Sequence, residues 1–255
     1  MLIDTHAHLD MKQFDKDRGA VLERAAGGGI SHIVTVGIDL NSSRKALSLA
    51  HENRSVYAAV GYHPHNAGGN VSKNLDVLAG MTSDPKVVAW GEIGLDFFRG
   101  YASREDQLGI FAPQLAMAFE LSLPVIIHDR EAHSEVLRIL KKMGKGEMRG
   151  VVHCFSGDMD LAMALIELGY FISIPGTVTY KKALETKEVA ARIPLARLLI
   201  ETDAPFLGPV PKRGKRNEPL FVTYTAREIA RLRNMDLEEV ARATSKNAMA
   251  LFGLE

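Results

Sequence analysis

An intrachain disulfide is closed to this chain of 255 residues, because Cys154 is its only cysteine. A lone thiol fits a reducing compartment. Net charge is also missing: 31 lysines and arginines balance 31 aspartates and glutamates. That balance excludes a global pull toward nucleic acid or anionic membrane, so an anionic substrate would need a local basic patch. No apolar run is long enough to span a bilayer. The first strand-like segment starts at Leu2, which leaves no room for a signal peptide ahead of it. The expected setting is therefore cytoplasmic, with no membrane association and no obligate protein partner. Linkers, low-complexity tracts and internal repeats are absent, which predicts one domain over residues 1–255.

What the chain has in quantity is short apolar segments. They fall at Leu2–Asp4, His32–Val36, Val56–Val60, Val87–Trp90, Pro124–Ile127, Gly150–Val152, Tyr170–Ile174 and Arg197–Ile200. Each is nearly continuously apolar, as strands covered on both faces are. One helix fits between each pair, and such crossovers select parallel pairing. Ser103 with Asp106 reads as a capping box, Asn41 or Ser42 as a second cap and Asp236 as a third. Gly27–Gly29, Gly144 and Gly169 stand where helices should stop. Eight strand–helix units predict a (β/α)8 TIM barrel, with a doubly wound open sheet as the second choice. Two extra C-terminal helices are expected near Phe221–Arg233 and Leu237–Leu251.

The polar residues cluster just after the strands. Thr5-His6-Ala7-His8 follows the first, Gly61-Tyr62-His63-Pro64-His65 the third, and Gly91-Glu92-Ile93-Gly94-Leu95-Asp96 the fourth. His128-Asp129-Arg130, His153-Cys154 and Glu201-Thr202-Asp203 follow the fifth, sixth and eighth. In a barrel these ends converge on one face, where active sites lie. His6 and His8, two apart, point to the same side of an extended chain. Alone, a His-x-His pair is weak, and Glu92 or Asp203 alone reads as a helix cap. Together, so many buried ionisable groups would be costly without a metal. The predicted ligands are His6, His8, Glu92, His128, His153 and Asp203. Six exceed what one zinc takes, so two divalent ions (Mg, Mn or Zn) with a bridging carboxylate are expected. His63 is preferred over His65 as a substrate contact. Cys154, by strand alternation, should point away into the barrel–helix layer as an inert thiol. Trp90 either shares the face of Glu92 or packs the barrel.

At these residues the chain resembles the TatD-like deoxyribonucleases, a branch of the amidohydrolase-type metal barrels. IDTHAHLD, GYHPH, WGEIGLDFF, PVIIHDR, VVHCFSG, LIETDAPFL and GKRNEP carry the resemblance, in order, from residue 3 to residue 219. It implies a metal barrel that hydrolyses phosphodiester bonds in DNA, with ligand roles for the same six residues. Many related barrels place a carboxylated lysine at the end of strand four; Glu92 stands there instead.

Arg99, Arg130, Lys181, Lys182, Lys212, Arg213, Lys215 and Arg216 lie on loops of the same face. A positive rim suits phosphate-bearing substrates, and Arg130, Arg213 and Arg216 join His63 as expected substrate contacts. The 212–216 loop should overhang the ion held by Asp203. Phe97, Phe98 and Tyr101 either stack on a base or pack their loop down. The expected chemistry is metal-assisted hydrolysis with Glu92 bridging and Asp203 orienting or deprotonating water. DNA cut from an end is the leading substrate. Ester hydrolysis (deacylation of aminoacyl-tRNA, for example), amide hydrolysis and a non-catalytic metal-binding module are the alternatives.

Overall fold

A computed structural model of the chain describes residues 1–68, 71–143 and 148–254. Parallel pairing runs in sequence order from β1 (Leu2–Ala7) through β2 (Ile30–Val36), β3 (Val56–Val60), β4 (Val87–Asp96), β5 (Val125–Arg130), β6 (Gly150–Val152), β7 (Phe171–Ile174) and β8 (Leu198–Ile200). The two ends of the sheet meet. Ala7 bridges Ala204 in parallel, the His8 N–H donates to the Ala204 carbonyl at 2.7 Å, and the Asp203 N–H donates to the His6 carbonyl at 2.9 Å. An open sheet has no such first-to-last contact, so the barrel is the fold and the doubly wound alternative falls.

Helices α1 (Arg18–Gly27), α2 (Leu40–Glu52), α3 (Val71–Met81), α4 (Arg104–Glu120), α5 (His133–Met143), α6 (Met159–Glu167) and α7 (Leu184–Arg192) fill the crossovers. The two added helices, α8 (Val222–Arg233) and α9 (Leu237–Phe252), follow β8 as expected. Strand residues facing outward, such as Ile33, Val60, Ile127 and Val152, form one core with helix residues such as Phe111, Leu115, Val136 and Leu165. Trp90 belongs to this outer layer, where its indole N–H donates to Gln114 Oε1 on α4 at 3.3 Å. The inward set, including Ile3, Val34, Ala59, Val88, Ile126, Val151 and Leu199, packs on Ala248, Leu251, Phe252 and Leu254. Asn247 on α9 donates to the carbonyls of Leu195 and Leu198, at the entry to β8. The last helix thus plugs the end of the barrel where strands begin, and the opposite end is left for chemistry. Among the described residues no helix is long and apolar enough to cross a membrane.

Three strands are longer than their apolar runs. β1, β4 and β5 carry on through Thr5–Ala7, Gly91–Asp96 and His128–Arg130, residues whose polarity reads as loop. β4 keeps pairing with β5 from Ile93↔Ile127 to Asp96↔Arg130 after a register break beyond Trp90. Gly94 (φ +141°) sits beside His128 in that register, and a Cβ there would strike the His128 carbonyl. Only glycine lets the two strands come this close. At the helix starts, Ser103 accepts the Asp106 N–H as expected. The cap of α2 is Asp39, which accepts the Ser42 N–H at 2.7 Å, so neither Asn41 nor Ser42 has that role. Asp236 occupies the expected N-cap position of α9, without a side-chain capping bond. Gly169 (φ +98°) follows α6 in the left-handed conformation that stops a helix; Gly144 lies outside the described residues.

Candidate metal centre

Six side chains from five strand ends meet at the open end of the barrel. On one side, His6 Nε2 and His8 Nε2 face each other at 3.2 Å, with Glu92 Oε2 at 3.4 and 3.6 Å and Asp203 Oδ1 at 3.9 and 3.5 Å respectively. On the other, Glu92 Oε1 lies 2.8 Å from His128 Nδ1 and 2.7 Å from His153 Nε2, and those two nitrogens are 3.3 Å apart. The two oxygens of Glu92 therefore serve two separate donor sets.

Tautomers separate the ligands from their neighbours. His8 Nδ1 lies 2.9 Å from the Val36 carbonyl, an oxygen that only accepts, so Nδ1 carries the proton and Nε2 keeps its lone pair for the site. His128 Nε2 likewise faces the Asp96 carboxylate at 3.1 Å, which leaves Nδ1 free to ligate. His153 Nδ1 is 3.4 Å from Glu201 Oε1, a charge pair without a hydrogen bond, while its Nε2 faces Glu92. His63 is the reverse case. Its Nδ1 accepts the His65 N–H at 3.0 Å, so in the neutral ring Nε2 is an N–H donor, directed at Glu92 Oε1 at 3.3 Å. His63 lies against the second donor set but offers it a proton, not a lone pair.

Folding around the site is equally specific. Asp4, on β1 below His6, accepts both the N–H and the hydroxyl of Thr202, at 2.9 and 2.6 Å. That grip fixes the exit of β8, and Asp203 then turns into the site with φ +56°, a left-handed conformation that aspartate tolerates better than most residues. Glu201 accepts the Cys154 N–H at 2.6 Å and the Ser173 hydroxyl beneath His153. Asp96 Oδ1 accepts the N–H groups of Phe98 and Arg99, while Oδ2 takes His65 Nε2 at 2.8 Å as well as His128.

The charges respond to this crowding. Burial lowers His6, and it lowers His63 to about 4 against the pull of Glu92, so both are neutral near pH 7. Burial also opposes charge on His8, but the Asp203 and Glu92 carboxylates outweigh it and raise His8 to about 9. His153 is raised well above its usual value, Glu92 and Glu201 overcoming burial. Glu92 is lowered well below its usual range and Asp203 is lowered too, in both cases against burial, by the histidines around them. Without metal, then, the pocket holds protons between its carboxylates and imidazoles: it is built to hold cations.

The donor set fits divalent metal. For an ion about 2.0–2.2 Å from nitrogen and oxygen ligands, tetrahedrally disposed donors stand roughly 3.3–3.6 Å apart. The five measured separations among His6, His8, Glu92 and Asp203 run from 3.2 to 3.9 Å. His6 Nδ1 is buried without a hydrogen-bond partner among the described residues, so only Nε2 is engaged, and it faces the other donors.

Above the donors opens a cavity of about 910 Å³, lined by His8, His63, Glu92, His128, His153 and Asp203 at its floor. Arg99, Tyr101 and Arg130 stand on one wall, with Met11, Ile38, Phe206 and Leu207 also lining it. Of the predicted substrate contacts, His63 and Arg130 reach this cavity. Arg213 and Arg216 do not line it. Arg213 lies on the Tyr180 ring, 4.5 Å from its centroid, and Arg216 is held by both oxygens of Asp17 at 2.7 Å with the Phe14 ring beneath it. The carboxylate of Asp17 and the faces of Tyr180 and Phe14 take up these cations. Cys154 also departs from expectation: it lines the cavity. β6 ends at Val152, so strand alternation no longer applies two residues later, and φ +45° turns the side chain. Its thiol is nonetheless inert, pushed well above the usual range by burial and then by Asp203 and Glu201. Sequence reasoning missed Asp4, Asp96 and Glu201. Their signal was present as a second carboxylate a few residues from a predicted ligand, and only their hydrogen bonds give them a role.

The family model described as TatD related DNase matches residues 3–253. A Bacillus subtilis protein, YabD, described as an uncharacterized metal-dependent hydrolase, is 43% identical over 252 residues, 99% of either chain. The Erwinia amylovora 3'-5' ssDNA/RNA exonuclease TatD is 39% identical over 259 residues, covering 99% of this chain and all of that one. Among solved structures, the Escherichia coli TatD homologue YjjV superposes with a TM-score of 0.91 at 34% identity, over 100% of this chain and 98% of that one.

Proposed function

Since the chain belongs to the family of TatD-related DNases and is a metal-dependent hydrolase acting on ester bonds, we propose that it is a two-metal 3'-5' exonuclease of single-stranded DNA or RNA. The observation that carries this reading is the division of Glu92, with Oε2 toward His6, His8 and Asp203 and Oε1 toward His128 and His153. One carboxylate shared by two donor sets is what a pair of divalent ions requires. Ions held there supply Lewis-acid polarisation of a phosphoryl oxygen and lower the pKa of a water molecule.

The chain's own residues do the rest. Asp203 is ionised, its side chain is 13% exposed, and its Oδ1 is turned to the histidines. Its Oδ2 takes a proton from the attacking water. The water oxygen forms a bond to phosphorus, the bond from phosphorus to the 3'-oxygen breaks, and the proton passes to that leaving oxygen. The products are a 5'-mononucleotide and a strand one residue shorter. Neutral His63 presents its Nε2–H to a substrate oxygen, and Arg130 supplies positive charge on the wall. A cavity near the top of the usual range of roughly 300–1,000 Å³ for small-molecule sites suits the end of a strand. A cytoplasmic setting fits the reduced Cys154. The test is incubation with end-labelled single- and double-stranded DNA and single-stranded RNA, with magnesium, manganese or chelator. Stepwise shortening from the 3' end, lost with chelator, is expected. Turnover of aminoacyl esters with no release of mononucleotides would overturn the reading.

A further inference from the structure

Arg99 and Arg130 differ from the ion-paired arginines of this chain. Arg18, Arg24, Arg138, Arg192, Arg216 and Arg231 each bind a carboxylate. Neither Arg99 nor Arg130 has a side-chain hydrogen bond or ion pair among the described residues. Both lie against the ring of Phe98, at 5.5 and 4.1 Å from its centroid, and both line the cavity. Two like charges gathered on one exposed ring have no ion-paired carboxylate among the described residues to balance them. Two acidic residues close to them in sequence have other partners. Asp96 is taken by His65, His128 and two backbone amides, and Asp129 faces His133 Nδ1 at 2.9 Å.

Their height in the barrel says which anion they await. Arg130 pairs with Asp96 across β4 and β5, while His128 pairs with Gly94. Arg130 is therefore two residues beyond a metal donor, a rise of about 6.6 Å along the strand. That places it above the scissile group, at a distance comparable to one backbone repeat of a polynucleotide. Tyr101 lines the same cavity, 68% exposed, with its ring edge-on to His65 at 4.8 Å.

We propose that Arg99 and Arg130, splayed on Phe98, form a subsite for a second phosphate, the one next to the scissile phosphodiester, with Tyr101 as the stacking surface for the adjoining base. The assignment rests on the nuclease reading above. Asp96 ties it to the chemistry, since one carboxylate fixes both ligand His128 and the amides of the loop that bears Arg99. A second phosphate has two sources, a further phosphodiester of a longer strand or a 5'-terminal phosphomonoester, and the subsite takes either through the same guanidinium contacts.

The test compares three thymidine substrates: a dinucleotide with one phosphodiester, the same dinucleotide bearing a 5'-phosphate, and the trinucleotide. Turnover is measured with manganese, and affinity with the metal-free protein, where no cleavage intervenes. For the unaltered protein the second phosphate should raise kcat/KM and affinity about tenfold or more. In Arg99→Gln/Arg130→Gln that ratio should fall to near one, and Arg130→Lys should restore part of it. An advantage for the trinucleotide alone would mean the subsite reads a diester; an equal advantage for the 5'-phosphate means charge suffices. Either supports the assignment if the double variant abolishes it. Equal losses on all three substrates would put the arginines on the scissile group and overturn it, as would an unchanged ratio. Failure of the unaltered protein to cleave any of the three, while the affinity ratio still depends on the arginines, would sink the nuclease reading and spare the subsite.

Discussion

Asp96→Asn is the sharpest probe of how the second donor set is kept in order. The replacement is nearly isosteric, and its carbonyl oxygen can still accept the Phe98 and Arg99 amides that Asp96 Oδ1 holds. The change falls on the other side. In place of Oδ2, an acceptor 3.1 Å from His128 Nε2 and 2.8 Å from His65 Nε2, stands an amide nitrogen that only donates. Neutral His128 then moves its proton to Nδ1 so that Nε2 can accept. Nδ1 is the atom 2.8 Å from Glu92 Oε1, so the lone pair needed for ligation is lost. Replacing the outer partner of a ligating histidine weakens metal affinity or activity by roughly 10–100-fold. The variant should sit at or beyond the upper end, because the wrong tautomer forms and not merely a looser one. Loss of the charge-assisted bonds should reduce stability by about 1–3 kcal/mol, too little to unfold a domain of ordinary stability. The assay is manganese-dependent activity across a metal titration, beside circular dichroism melting. A folded protein with a metal requirement indistinguishable from that of the unaltered chain would refute the tautomer argument.

Gly94→Ala should be among the most damaging small substitutions, since its methyl meets the His128 carbonyl in a backbone conformation that disfavours side chains; a melting temperature within a degree or two of the parent would contradict this close approach. Arg216→Ala, by contrast, removes a partly exposed pair with Asp17, and should change stability little while leaving KM for oligonucleotides unchanged. A flattened salt dependence of KM would return that loop to the substrate. Metal binding should release protons at neutral pH. His8 is raised from 6.5 to about 9, so the stability it lends the metal-free protein is full below its unfolded value and disappears as pH rises through about 9. An ion must displace that proton, and the one on His153, so apparent metal affinity should climb as pH rises through about 9. Calorimetry in buffers of different ionisation enthalpy reads the proton count, and zero release at neutral pH would refute the assignment.

The barrel was legible because its strands are buried on both faces and read as apolar runs: β3 and β6 fall on their expected bounds. The ends of β1, β4 and β5 were not, because hydrophobicity stops where the site begins, while pairing continues through residues such as Glu92, Asp96 and His128. The meeting of His6, His8, Glu92, His128, His153 and Asp203 was legible from alternation and from convergence at one end. Asp4, Asp96 and Glu201 were not, since a carboxylate's partner is set by tertiary contacts: Thr202 lies 198 residues from Asp4. The partners of the basic 212–216 loop were hidden for a related reason. Sequence shows its charge, but not that Asp17 and the ring of Tyr180 had already claimed Arg216 and Arg213.

The central claim is that Glu92 divides its two oxygens between two ions. Native mass spectrometry of the metal-free protein titrated with manganese or zinc counts them directly, with Glu92→Gln beside it. Two ions per chain for the unaltered protein are predicted, with activity rising as the second binds and a failure of Glu92→Gln to hold the pair. Full activity with a single bound ion, or two ions retained by Glu92→Gln, would contradict the account.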